Sequence, residues 1–141
     1  MLIRGIKLFA LFIMLLTIPL ACEDLEVLFV DCDKCYTDKP EYARVTIKFT
    51  INDENPYVVY TLFDGSIDDG SVIMVDTAYD SNVYWDLDVN RNYSAIAEYN
   101  CKGRTIYAVD GAKLRTKLDK SSCSDECYII LGDRLDVRLK Y

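Results

Sequence analysis

Histidine is missing from all 141 residues. Without an imidazole the chain can build no Ser-His-Asp triad, no Cys-His nucleophile pair and no His-ligated metal centre. Positive charge is scarce: 16 Lys+Arg stand against 23 Asp+Glu. Affinity for nucleic acid comes largely from Lys and Arg on phosphates, so no nucleic-acid partner is expected. With only three prolines and six glycines there is no Pro- or Gly-rich linker, and no repeat or low-complexity tract is visible. No window holds a convincing 3.6-residue period of helical length. Long apolar runs are also lacking; Leu8–Leu16 is the longest, and it is too short to span about 30 Å of hydrocarbon comfortably.

That run follows Arg4 and Lys7 and leads to Ala21-Cys22. A positive start, a short apolar stretch and a small residue before a cut make a signal peptide over residues 1–21. Without Arg4 and Lys7, 14 Lys+Arg would face 23 Asp+Glu, a net charge of −9 on 120 residues. That length suits one domain. Ile18-Pro19-Leu20-Ala21-Cys22 resembles the lipobox of bacterial lipoproteins, with Pro19 where Leu is usual and Leu20 where a small residue is usual. The resemblance implies acylation of Cys22, and two or three acyl chains anchor stably where one does not. Glu23, Asp24 and Glu26 follow, an acidic cluster that resembles the surface-export signal of Bacteroidota lipoproteins. The expected address is therefore the outer membrane through a lipid anchor, facing the cell surface. Residues 22–24 are a short tether, and apolar sequence resumes at Leu25.

Ala43, Val45, Ile47, Phe49 and Ile51 alternate with Arg44, Thr46, Lys48 and Thr50, the signature of a half-buried strand. Val83, Trp85, Leu87 and Val89 repeat the pattern, as do Leu135, Val137 and Leu139. Further strands are predicted over 25–31, 57–63, 71–76, 93–100, 104–109 and 128–131, with 112–118 ambiguous. Glycines at 65, 70, 103, 111 and 132 read as turn residues between them. Eight or nine short strands at this spacing predict an all-β fold, a single antiparallel β-sandwich over residues 25–141. Leu87-Asp-Val-Asn-Arg-Asn-Tyr93 resembles the corner before the sixth strand of fibronectin type III and immunoglobulin-like domains. There a tyrosine hydroxyl bonds back to the loop backbone. Taken whole, the chain is similar to small Bacteroidota lipoproteins with a DCxxCY start and a late CxxxC, a resemblance that implies location and no activity.

Six cysteines are present: 22, 32, 35, 101, 123 and 127. If Cys22 carries lipid, five remain, and one is unpaired. Export favours disulfides. Cys32-Asp-Lys-Cys35 has the spacing of a redox dithiol, but Asp31 and Asp33 would raise a thiol pKa there and a loop follows. CxxC plus CxxxC also has the spacing of a four-sulfur zinc site, which an oxidising exterior disfavours; no metal is assigned. If the last strand lies parallel beside the first, Cys127 falls at the pole of Cys32. The expected bonds therefore join Cys32 and Cys35 to Cys123 and Cys127, tying first strand to last. Cys101, beside Lys102 and Arg104, is the expected free thiol.

The acidic stretch Asp64–Gly70 suggests calcium, but it departs from the EF-hand pattern at Asp69 and Val75. Solvated turns, there and at Asn52–Asn55, are the simpler reading. Asp64, Asp68, Asp86 and Asp88 are the candidates for a hydrolytic carboxylate pair. Eleven tyrosines suit strands, and those facing outward could form a binding surface. The combined expectation is a non-enzymatic envelope interaction or accessory module without cofactor, binding a protein or glycan. The alternative is a structural subunit of a surface assembly.

Overall fold

The computed structural model describes residues 30–140. The leader, Cys22, Glu23, Asp24, Glu26 and most of the strand expected over 25–31 lie outside them. Among the described residues, eight strands follow a 3-10 turn at Cys32–Lys34. They are β1 (Tyr42–Lys48), β2 (Val58–Asp64), β3 (Ser71–Ala78), β4 (Asn82–Asp88), β5 (Arg91–Cys101), β6 (Arg104–Asp119), β7 (Cys127–Leu131) and β8 (Arg134–Asp136). They form two sheets, ordered β4-β1-β8 and β3-β2-β5-β6-β7. Every pairing is antiparallel except β1 with β8, which is parallel. The chain is an all-β sandwich of the expected class.

Alternation builds the core. Ala43, Val45, Ile47 and Phe49 are buried from one sheet, with Leu135 and Val137 beside them. Val58, Tyr60 and Leu62 of β2 and Tyr93, Ala95, Ala97 and Tyr99 of β5 are buried from the other. Bulk is complementary across the ladder: Tyr60 stands opposite Ala97 and Leu62 opposite Ala95. Alanines make room where the large neighbours reach across to the other sheet, as close packing requires. The Phe49 and Tyr60 rings meet there, centroids 5.0 Å apart.

Polar bonds lock the layers. The Trp85 indole N–H donates to the Tyr60 hydroxyl at 3.0 Å. The Tyr99 hydroxyl donates to the Val137 carbonyl at 2.8 Å and accepts from the Thr50 N–H at 3.1 Å. The Tyr93 hydroxyl donates to the Asp88 carbonyl at 2.9 Å, the bond expected at the fibronectin-like corner. Burial pushes the Tyr60 and Tyr93 hydroxyls above their ordinary pKa.

Two expectations need correction. Gly111 is no turn residue: it sits inside β6 opposite Ser94. The ambiguous segment 112–118 continues the same strand, which runs from Arg104 to Asp119. β6 is long because it carries two ladders, residues 104–114 with β5 and 115–119 with β7. Val30 and Asp31 are not in a strand. The place beside β1 expected for the last strand is nonetheless held by β8 in parallel register, Ile47 opposite Leu135.

Candidate functional site

Cysteines form the first cluster. Cys32 is bonded to Cys123 and Cys35 to Cys127, and Cys101 is free and half-buried. The bonds do not tie the first strand to the last, because no strand precedes β1 among the described residues. They tie the 3-10 turn to the start of β7 and the loop before it. Asp31 caps that turn by accepting from the Asp33 N–H at 3.2 Å. Lys34 lies 2.9 Å from Asp31 and holds that carboxyl below its ordinary range. Beside the cross-links, Tyr36 and Tyr128 exchange two backbone hydrogen bonds, at 2.9 and 2.7 Å. Neither disulfide joins Cys32 to Cys35, so the CxxC is not arranged as a redox dithiol.

Cys101 ends β5 where a two-residue turn, Lys102 and Gly103, takes positive φ at both positions. That is the geometry of a tight hairpin. A cleft of about 470 Å³ beside it is lined by Ile106, Ala108, Leu139, Lys102, Arg138 and Lys140, among others.

Three of the four carboxylate candidates face arginines. Asp64 accepts from Arg91 at 2.6 Å, with Asp88 3.9 Å from the same guanidinium, and this raises the Arg91 pKa. Asp86 pairs with Arg44 at 3.2 Å. Asp68, the fourth candidate, lies in the turn between β2 and β3, where its neighbour Asp69 accepts from the Ser66 hydroxyl. A carboxylate already bonded to a cation or to its own turn is poorly placed as a general base.

Sequence reading passed over Asp110, Asp136 and Arg138. Asp110 accepts from the Asp136 N–H at 2.6 Å and from the Gly111 N–H at 2.9 Å, stitching β6 to β8. Arg138 grips both Asp136 oxygens at 2.7 and 2.6 Å and holds its pKa down to about 2. Asn55, almost fully buried, accepts from the Asn100 N–H at 2.8 Å, so the acidic turn at 52–55 is pinned to β5. The Asp110–Asp136 and Asn55–Asn100 contacts join residues 26 and 45 apart, which no local pattern announces.

The outer face of the five-stranded sheet is the remaining candidate. Strand register places Val75, Thr61, Ile96 and Val109 in one row across four strands. The next row is Thr77, Val59, Glu98 and Tyr107, and Phe63 with Val72 lies on the other side. Val59, Val72, Val75, Tyr107 and Val109 are all exposed. Glu98 is the one charge within these rows. Tyr84, by contrast, is exposed on the other sheet among charged neighbours. Comparison with protein-family models, with curated proteins and with solved structures finds no match for the chain.

Proposed function

We propose that the protein is a lipid-anchored, non-enzymatic interaction module of a bacterial envelope. It is held at the outer membrane through acylated Cys22 and faces the cell surface. The observation that carries the interaction reading is the apolar outer face of the five-stranded sheet, exposed among the described residues. Exposed aliphatic and aromatic side chains gathered on one face mark a contact surface, whereas scattered ones need no explanation. Its ligand is a protein or a glycan that stacks on Tyr107 and the valines.

The anchoring half rests on sequence: Arg4, Lys7, the apolar run at 8–16 and Ala21-Cys22. Replacing Cys22 with Ala is expected to abolish acyl labelling and free the protein from membranes; unchanged labelling of the variant ends the lipoprotein reading. Protease added to intact cells is expected to degrade the wild type. The triple replacement of Glu23, Asp24 and Glu26 by Ala should be protected, and equal degradation of both removes the export reading.

A second reading, a structural subunit of a surface assembly, is favoured by β3. It is an eight-residue edge strand with Asp76 as its one charge. An edge without lysine or proline is a template for strand addition. Assembly by that route requires ordered oligomers that Val75→Pro dissolves; a monomer at all concentrations sinks it.

A further inference from the structure

Three of the four cross-linked sulfurs converge more closely than two separate disulfides need. The sulfurs of Cys35, Cys123 and Cys127 all lie within 4.8 Å of one another, and Cys32 is bonded to Cys123. A tetrahedral zinc–thiolate site has Zn–S bonds of about 2.3 Å, which sets its sulfurs roughly 3.8 Å apart. Those three need only a small adjustment to reach it, and Cys32, which the S–S bond holds beside Cys123, has to turn in to complete the set. We propose that, with both disulfides reduced, Cys32, Cys35, Cys123 and Cys127 bind one zinc ion. The inference is independent of the envelope reading.

Backbone contacts keep the ligands gathered once the S–S bonds are cut. Tyr36 adjoins Cys35, Tyr128 adjoins Cys127, and the two exchange a pair of hydrogen bonds that need no sulfur. On the other arm, Cys35 donates its N–H to the Cys32 carbonyl at 3.4 Å, folding the CxxC into one turn. Four thiolates on Zn²⁺ leave a charge of −2; the lysines of the two arms, Lys34 and Lys120, already face Asp31 and Glu126, so the charge is left to solvent. The steps balance. An external dithiol supplies two electrons and two protons to each disulfide and is itself oxidised. Zn²⁺ then displaces four protons from the four thiols. Oxidation reverses this: two S–S bonds form, four electrons leave to the oxidant, and the metal is released. One cluster thus closes the same two segments in either state.

The test uses the full-length chain in detergent with Cys22→Ser and Cys101→Ser, so that only the cluster thiols remain. After reduction by a phosphine without oxygen, Zn²⁺ or Co²⁺ is titrated, and bound metal, alkylatable thiols and circular dichroism are measured. The expected result is one metal per chain, a thiolate-to-cobalt charge-transfer band and protection of all four thiols from alkylation. The oxidised protein should bind none, and a disulfide-forming oxidant should eject the metal. Cys123→Ser and Cys127→Ser should each weaken the charge-transfer band and lower the affinity at least tenfold. If reduction alone unfolds the chain, zinc must restore its β spectrum. A reduced chain that stays metal-free, or metal binding untouched by those two substitutions, overturns the proposal.

Discussion

On the outer face of the three-stranded sheet, Arg44 stands opposite Asp86, Tyr42 opposite Asp88 and Lys48 between Asn82 and Asp136. On the outer face of the five-stranded sheet, Val75, Thr61, Ile96 and Val109 stand in the corresponding row. Both sheets send alternate residues into the same core, so the core does not explain the difference. The first face is finished for water, with opposite charges paired across strands. The second keeps apolar side chains that neither solvent nor the fold asks for. Binding surfaces differ from ordinary ones in this way, and the contrast is what supports the proposed contact role for the five-stranded sheet.

Breaking the cross-links should have the largest effect. The disulfides span 91 and 92 residues; the first to close is worth about 4 kcal/mol by chain entropy, and the second, closing only a short further ring, adds less. Thermal melts with and without reductant should differ substantially, and zinc should be excluded from the reduced sample. The bonds anchor β7, so amide exchange should rise first along 115–119 and 127–131, with β1 and β4 following. Equal acceleration everywhere would deny the five-stranded sheet its separate staple.

Tyr99→Phe comes next. The hydroxyl serves the Thr50 N–H and the Val137 carbonyl, both beside the three-stranded sheet. Its loss strands two backbone groups and should cost about 1–3 kcal/mol in denaturant melts. A cost near zero would mean the sheets are held by apolar contact alone.

Lysine on the outer faces separates stability from stickiness. Val75→Lys with Val109→Lys, and Thr46→Lys on the opposite face, should each change stability by no more than about 0.5–1 kcal/mol. Retention on a hydrophobic-interaction column should fall for the first pair alone. Equal loss on both faces would erase the contrast.

The smallest effect concerns Asp136. Its folded pKa, about 2, lies below the ordinary 3.8 because Arg138 favours the charged form. The group therefore contributes stability above pH ~4, and this is lost as pH falls toward 2. The Asp136 side chain is 26% exposed, so the contribution is about 1 kcal/mol or less. The gap between wild type and Asp136→Asn should be present at pH 6 and gone at pH 2.

Strands with one buried face were legible in the sequence, because alternation at 43–51 and 83–89 states which side is apolar. The corner was legible because Tyr93 lies six residues after Leu87. The exposed apolar face was not. β2 reads Val-Val-Tyr-Thr-Leu-Phe, apolar on both sides, and only packing decides that Tyr60 turns in and Val59 out. Gly111 misled because a glycine among polar neighbours looks like a turn. Its φ is not positive, and an added Cβ would meet Ser94 at an ordinary 3.5 Å. The turn at Gly132 is real: its φ is +74°, and a Cβ there would collide with the Lys113 carbonyl.

The central claim is tested most directly by photo-crosslinking on living cells. A photoreactive side chain is placed at Val75 or Val109 on one face and at Thr46 or Tyr84 on the other. A discrete crosslinked product from Val75 and Val109, with none from Thr46 and Tyr84, is the predicted result. Products from both faces alike, or from the charged face alone, would contradict it.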